Sequence, residues 1–149
     1  GILLLFMSYK GIYKPSNPKK YIGNPNMIVY RSLWERKFCR YCDTKEHVKR
    51  WASEEIAIPY YNPVKRRGAK YYPDFYIEIE TKDKPLDKIL IEVKPLKETM
   101  PPKYKRRTKN VLIAEAMYSQ NTAKWRAAEE FCLDQGWTFK IMTEKELGV

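Results

Sequence analysis

Three residues on two neighbouring segments have types and spacing that suit phosphodiester hydrolysis. Asp74 follows Pro73 at the start of an alternating segment, and Glu92 and Lys94 lie two apart on the next one. Carboxylate oxygens bind hard divalent cations, which polarise a phosphoryl oxygen and lower the pKa of an attacking water. A lysine beside them can stabilise developing negative charge and orient or deprotonate that water. The pattern therefore predicts a metal-dependent hydrolytic site.

A β-hairpin is needed to bring these residues together. Residues 71–80 and 88–94 each alternate apolar and polar side chains, which is typical of strands that bury one face. Directly opposed residues of antiparallel strands share a face, so both apolar sets reach the core only in registers of one parity. A symmetric turn predicts Asp74 opposite Lys94, with Glu92 on the neighbouring diagonal. The alternative interpretation is an ordinary half-buried hairpin with alternating charges on its exposed face.

Charge and composition favour a polyanionic partner. The 149 residues contain 29 Lys and Arg against 18 Asp and Glu, a net charge of +11. This balance is typical of proteins that bind nucleic acid, and double-stranded DNA is the expected partner. A membrane partner is not expected, because we find neither a basic amphipathic helix nor a lipidation motif. A basic protein that binds no polyanion is the alternative.

Eight basic residues are the predicted phosphate contacts. Most of them lie in two basic runs, and one lies on the second predicted helix. They are Lys65, Arg66, Arg67, Lys103, Lys105, Arg106, Arg107 and Lys124. No recognisable motif pairs basic residues with base-reading Asn or Gln, so little sequence preference is expected. Gln120 and Asn121 are further possible phosphate contacts, but a solvated polar face is the favoured interpretation for them.

Periodicity predicts an α/β fold in which helices flank one central mixed sheet, in the order helix, three strands, helix, strand. The first predicted helix has Ser32 as its N-cap and ends near Asp43, and the second is predicted most surely over 119–135. The predicted strands cover 55–60, 71–80, 88–94 and 137–142. Gly136 is the expected C-cap of the second helix, and a last turn of helix is expected from Thr143.

The N-terminal segment lacks a sustained period. Residues 8–29 mix Lys, Pro, Asn, Gly and Tyr, which predicts an extended basic arm. The predicted division is therefore an arm over 1–29 and a folded domain over 30–149. Residues 1–6, which precede Met7, are interpreted as an upstream remnant without function.

Three cysteines and one histidine are interpreted as structural residues. Cys39, Cys42 and Cys132 are too few and odd in number for a secreted disulfide framework, which favours a reducing cytoplasm. A zinc site formed with His47 is the alternative. It is disfavoured because the first two cysteines lie inside a helical pattern, and small core hydrophobes explain all three better. His47 is expected on the surface.

The form of the motif resembles a nuclease superfamily. Pro73-Asp74 followed by Glu92-Val93-Lys94 is similar to the signature of the PD-(D/E)XK, restriction-endonuclease-like nucleases, whose αβββαβ core has the predicted element order. Longer strings over residues 8 to about 147 resemble the head completion nucleases of myovirus-type tailed phages. These strings are Y-R-S-L-W-E-R-K-F, S-E-E-I-A-I-P-Y, Y-Y-P-D-F-Y-I-E, L-I-E-V-K-P and A-K-W-R-A-A-E-E-F-C. The endonuclease subunit of certain cut-and-paste transposases is more distantly similar.

The resemblance implies roles for the motif residues. It implies that Asp74 and Glu92 bind a divalent metal ion, that Val93 adds its backbone carbonyl, and that Lys94 is the catalytic lysine. The implied cofactor is Mg²⁺, for which Mn²⁺ substitutes, and the implied activity is that of a deoxyribonuclease. Endonuclease and exonuclease action are both compatible with it.

Glu35 has two interpretations. The spacing Ser32-x-x-Glu35 predicts a capping box, in which the glutamate accepts a hydrogen bond from the Ser32 amide. The resemblance instead implies that the first helix contributes Glu35 to the metal site. With the resemblance taken into account, Glu35 is predicted as a site residue that is both catalytic and metal-binding.

The resemblance also implies where the protein acts. A head completion nuclease is expected to trim packaged DNA at a filled head so that a tail can join, in the host cytoplasm and in association with the virion head. Phage head or portal proteins are the expected protein partners, with the arm over 8–29 as tether. The alternatives are a DNA-binding structural head protein with dispensable catalysis, and a transposase-type or junction-cleaving endonuclease.

Overall fold

The computed structural model describes residues 6–147. In chain order the elements are β1 (Ser8–Tyr13), a 3-10 turn (Pro18–Lys20), β2 (Ile28–Ser32), α1 (Leu33–Thr44), β3 (Val48–Ser53), β4 (Ile58–Asn62), β5 (Arg67–Tyr71), β6 (Phe75–Ile79), β7 (Asp87–Val93), a 3-10 turn (Leu96–Thr99), α2 (Lys109–Gln135), β8 (Thr138–Met142) and α3 (Glu144–Leu147). Within these residues no helix is both long and apolar enough to cross a membrane. The interpretation of residues 1–6 as a remnant falls, apart from Phe6, outside the described residues.

A four-stranded mixed sheet forms the centre of the molecule. Its order is β3-β6-β7-β8, in which β7 and β8 run parallel and the other neighbours are antiparallel. On one face, α1 packs against Trp51 and Phe75, and on the other face α2 packs against Ala52, Tyr76 and Leu90. Successive strand residues point to opposite faces of the sheet, so each long helix covers the side chains on one face. The predicted α/β fold with a mixed sheet between helices is confirmed.

The β6 strand is buried on both faces rather than half-buried as predicted. Tyr76 and Glu78, whose side chains are on the polar side of the sequence pattern, are both buried beside α2. The Tyr76 hydroxyl donates a hydrogen bond to Glu78 Oε2 at 2.7 Å, which satisfies two polar groups away from water. The pattern was misleading because a tyrosine ring and a partnered carboxylate can lie under a helix.

The prediction for the first core strand is wrong. The predicted strand over 55–60 overlaps β4, which pairs only with β5 in a separate hairpin, whereas β3 provides the first strand of the central sheet. The β3 segment V-K-R-W-A-S has no clean alternation of apolar and polar residues. Its adjacent residues Trp51 and Ala52 are both buried, one on each face of the sheet. The hairpin also interrupts the predicted strand over 71–80, since β5 ends at Tyr71 and β6 begins at Phe75.

Residues 8–29 do not form an extended arm. The β1 strand in this segment pairs antiparallel with β2, and Tyr21 and Ile28 are buried in the core at 5% and 0% exposure. The carboxylate of Asp43, at the end of α1, accepts hydrogen bonds from the Tyr13 hydroxyl at 2.7 Å and from two backbone amides of the following loop. The segment is thus tied to the folded domain and is not free to act as a tether.

The second long helix extends further towards the N-terminus than the part that the sequence predicts most surely. It starts at Lys109, where the Thr108 hydroxyl accepts a hydrogen bond from the Val111 amide at 3.3 Å, whereas the sequence pattern is clearest from residue 119. The first turns of α2 leave several apolar side chains exposed, so they show no core-facing stripe. The predicted C-cap at Gly136 is confirmed, since its φ of 75° is the left-handed conformation that glycine adopts readily.

The three cysteines are core residues, as predicted. Cys39 and Cys42 lie in the core between α1 and the sheet, and Cys132 lies in the core between α2 and the sheet. The two groups are therefore on opposite faces of the sheet. His47 is exposed and contacts the Tyr41 hydroxyl at 2.6 Å.

Candidate active site

The β6–β7 hairpin places the two motif carboxylates opposite each other. Phe75 pairs with Ile91, and continuing this register by one step places Asp74 across from Glu92. The predicted parity is correct, because the apolar residues of both strands share a face, but the predicted pairing of Asp74 with Lys94 is wrong by two residues. The true register brings the carboxylates closer together than the prediction did.

Backbone contacts from two directions hold Asp74 in place. The Val93 amide donates a hydrogen bond to Asp74 Oδ2 at 2.8 Å, and the Asp74 carbonyl accepts one from the Glu54 amide at 3.2 Å. Glu54 has a φ of 54°, which is uncommon for a residue other than glycine, and its carboxylate pairs with Arg31 at 3.0 Å. The sequence offered no sign of this contact, because the predicted strand began after Glu54.

The Asp74 and Glu92 carboxyls are destabilised in their charged form. Burial raises the pKa of Asp74 well above its usual value, and the neighbouring Glu92 raises it further. Burial also raises the pKa of Glu92, which is only 7% exposed, while the Lys94 charge opposes this increase. Neither carboxylate forms a salt bridge in the described part of the chain. A cation between them would relieve the repulsion.

Lys94 lies at the point where the central strands end. Its backbone amide donates to the Met142 carbonyl at 3.0 Å, which continues the β7–β8 pairing beyond Val93. Its ammonium charge lowers the pKa of both Asp74 and Glu92. Lys94 is therefore held close to both carboxylates by a strand that is itself fixed on both sides.

Glu35 both caps α1 and lies in the site. Its amide donates to the Ser32 hydroxyl at 3.1 Å, and its Oε2 accepts from the Arg31 amide at 2.5 Å. The Glu35 carboxylate therefore accepts from the Arg31 amide, one residue before the Ser32 amide that the capping box predicted. Burial raises the pKa of Glu35 to about 7, and the charge of nearby Asp74 adds to the increase. The two interpretations of Glu35 are compatible with each other.

One cleft of about 420 Å³ collects the predicted residues. Its lining includes Glu35, Asp74, Glu92, Val93 and Lys94. The residues come from α1, from the approach to β6 and from the end of β7, so three separate parts of the chain meet there. Such a convergence of partly buried titratable groups is typical of an active site.

Two residues beside the cleft were not predicted as part of it. Tyr71, at the end of β5, is buried, and its hydroxyl has no hydrogen-bond partner of good geometry within residues 6–147. Burial raises the pKa of Tyr71 and the charge of Glu92 raises it further. Lys124 Nζ lies 5.6 Å from the centre of the Tyr71 ring, and burial lowers the Lys124 pKa while Glu92 opposes the decrease. Lys124 is therefore partly buried and close enough to Glu92 for the two charges to interact, unlike an exposed lysine that contacts only phosphates.

The two predicted basic runs lie in exposed segments. Residues 65–67 are at the turn between β4 and β5, and residues 103–107 precede α2. Among the predicted phosphate contacts in the described chain, only Arg107 forms a salt bridge, to Glu115 at 3.3 Å. Asn121 is buried and does not belong to a solvated face, contrary to the prediction.

The oxygen donors fit a divalent cation without forming a complete cage. No three His, Cys, Asp or Glu side chains in residues 6–147 are close enough together to hold a metal ion. The cleft does provide two destabilised carboxylates with the backbone of Val93 between Glu92 and Lys94. Mg²⁺ prefers such a set, because it binds through few carboxylates and keeps several waters.

Comparisons with known proteins show which family the chain belongs to. Residues 45–144 match the family model described as "TnsA-like endonuclease N terminal". The chain is 35% identical, over 95% of each chain, to the head completion nuclease of Enterobacteria phage T4. No solved structure matches the chain significantly. The chain therefore belongs to the head completion nucleases, a family with a TnsA-like endonuclease domain in the restriction-endonuclease-like superfamily.

Proposed function

We propose that this nuclease cuts double-stranded DNA with a divalent metal ion, Mg²⁺ or in its place Mn²⁺, held in the cleft at Asp74, Glu92 and Lys94. The observation that carries the proposal is that the half-buried Asp74, the buried Glu92 and a lysine meet in one cleft at the end of the β6–β7 hairpin, where the Glu92 charge raises the pKa of Asp74. Family membership accounts for the class of reaction, and the cleft accounts for where it takes place.

Each residue has a distinct task in this proposal. Asp74, Glu92 and the Val93 carbonyl would hold the metal ion, which when bound polarises the phosphate and acidifies a water. Glu35 keeps its Oε2 on the Arg31 amide and offers Oε1 to the metal site. The Lys94 ammonium orients the attacking water and stabilises charge on the phosphate oxygens.

The basic runs would place the DNA backbone over the cleft. Lys65, Arg66 and Arg67 are on the β4–β5 hairpin, which also provides Tyr71, so the hairpin links the run to the site. The second group, at Lys103, Lys105, Arg106 and Arg107, precedes α2, whose Lys124 reaches the Glu92 side of the cleft. Contacts of this kind bind phosphates without reading bases, so affinity should fall steeply with salt.

A plasmid assay tests the enzymatic part. We expect the wild type to nick or degrade plasmid in Mg²⁺ or Mn²⁺ and to be inactive with excess EDTA. Lys94→Ala should lose cleavage, while the matched variant Lys88→Ala, earlier on the same strand, should keep it. Full cleavage in EDTA, or by Lys94→Ala, would refute the proposed site.

The biological part of the proposal is trimming of packaged DNA at the filled head, in the infected host's cytoplasm, with head or portal proteins as partners. It is supported by the name of the T4 relative, which is a head completion nuclease. A phage carrying Lys94→Ala in this gene should accumulate full heads that fail to join tails. Empty heads, or normal yields of infectious particles, would refute this role and leave the nuclease site standing.

A further inference from the structure

A second cavity adjoins the active-site cleft. It has a volume of about 580 Å³ and lies between the loop over 97–103 and the first turns of α2. Its walls are mainly apolar and include Met100, Pro101, Met117 and the ring of Tyr118. Glu98 lines both this cavity and the active-site cleft, so the two spaces share a wall.

A buried carboxamide in this cavity has no partner in the described structure. Asn121 is 8% exposed and lines the cavity wall. No side-chain hydrogen bond within residues 6–147 involves Asn121, so its amide is free to bind a group that enters the cavity. An amide that can donate and accept, next to an aromatic ring and apolar walls, suits the edge and the face of a nucleobase.

The charge around the cavity fits the backbone of the same ligand. Lys97 and Lys103 line the cavity, and the exposed basic run over 103–107 continues from it. Apolar walls with lysines around them match a nucleotide, whose base is apolar on its faces and whose phosphate is anionic. The wall shared with the active-site cleft favours a nucleotide of the bound strand over a peptide.

We propose that this cavity takes one unstacked base of the DNA strand that is being cut. The proposal rests on the nuclease function above and adds a substrate preference to it. The base stacks on Tyr118, its edge is bound by Asn121, and its phosphate lies near Lys97 or Lys103. Removing a base from a duplex costs a few kcal/mol, and this cost is smallest where the base is unpaired. DNA with an unpaired nucleotide beside the cut site is therefore the preferred substrate.

Binding to three duplexes of one sequence tests the proposal without relying on cleavage. The duplexes are fully paired, carry one unpaired nucleotide, or carry an abasic nucleotide at the same position, and the protein is Lys94→Ala, read by fluorescence anisotropy. We expect the unpaired duplex to bind about tenfold tighter than either other one, which corresponds to about 1.4 kcal/mol. Equal affinity for the unpaired and abasic duplexes would overturn the proposal, because flexibility alone would then explain the preference.

Two cavity variants and one control locate the effect. Ala114→Phe fills the cavity, and Asn121→Leu removes the amide while it keeps a buried side chain of similar size. In the Lys94→Ala background both should abolish the preference, whereas Ile113→Phe, exposed on the adjacent helix position, should retain it. Persistence of the preference in both folded cavity variants would overturn the assignment. If the wild-type protein cleaves none of the three duplexes, the proposed nuclease site is wrong instead. Failure of the base-binding proposal and failure of the nuclease proposal are therefore distinguishable.

Discussion

Two aspartates, Asp43 at the end of α1 and Asp74 just before β6, differ in how fully the protein compensates their charge. Asp43 is fully buried, yet hydrogen bonds from Tyr13 and two backbone amides, together with the Lys20 charge, outweigh the effect of burial and lower its pKa. Asp74 has one backbone donor and a like-charged neighbour, and burial raises its pKa. Asp43 is the less exposed of the two, so incomplete compensation, and not burial alone, is the feature that supports assigning Asp74 to the candidate site.

The largest expected effect is on catalysis at Asp74. Asp74→Asn removes a charge that the protein compensates only in part, so cleavage should fall by about 1000-fold or more, as for the loss of a principal catalytic group. The melting temperature should stay the same or increase, because repulsion with Glu92 disappears. Initial rates on plasmid and thermal melts measure the two effects. A variant that cleaves normally, or that is strongly destabilised, would remove the contrast with Asp43.

The opposite result is expected at Asp43. Asp43→Ala leaves buried donors of the N-terminal segment unpartnered, which should lower the free energy of unfolding by about 3–5 kcal/mol. Denaturant unfolding measures this loss. Activity per folded molecule should be retained, as measured below the new midpoint of unfolding. Unchanged stability would mean that water replaces the carboxylate and that the segment over 8–29 is not held by it.

Glu35 lies between these two extremes, because it both caps a helix and lines the candidate site. Glu35→Gln keeps an acceptor for the Arg31 amide but removes the charge, so cleavage should fall by about 100-fold at an unchanged melting temperature. Glu35→Ala removes both the acceptor and the charge, and should lower the free energy of unfolding by a further ~1 kcal/mol. Normal cleavage by Glu35→Gln would reduce Glu35 to a capping residue.

The smallest expected effect is in the pH dependence of stability. The pKa of Asp43 is lower in the folded protein than in the unfolded chain, so its contribution is present above the unfolded value and is lost as the pH falls through the folded value. Thermal melts from neutral pH down to acid should show this loss in the wild type and less of it in Asp43→Asn. Parallel curves for the two proteins would contradict the assignment of Asp43 as a compensated carboxylate.

The sequence predicted some elements well because their signals are local. The capped start of α1 at Ser32, the positions of the strands β6 and β7, and the glycine end of α2 all depend on residues within one or two turns. The motif residues could be proposed for the same reason, since their types and spacing lie on two adjacent strands, and the structure brings them to one cleft. These predictions required no knowledge of distant parts of the chain.

Other elements were mispredicted because distant residues decide them. The N-terminal segment is ordered by Asp43 and by pairing with β2, and neither partner can be recognised from residues 8–29 alone. The first core strand, β3, has buried residues on both faces because helices from opposite ends of the chain cover it. A periodicity analysis cannot detect a strand whose two faces are both apolar.

The β6–β7 hairpin shows where the sequence stops and the tertiary structure begins. A side-chain period of two requires both apolar sets to share a face, so the sequence alone determined the parity of the pairing and the presence of the two carboxylates on the hairpin. Which register of that parity forms depends on the turn closed between Thr81 and Lys84 and on packing against β3 and β8. Only the folded sheet therefore placed Asp74 opposite Glu92, and only α2, packed across it, brought Lys124 to the same pair.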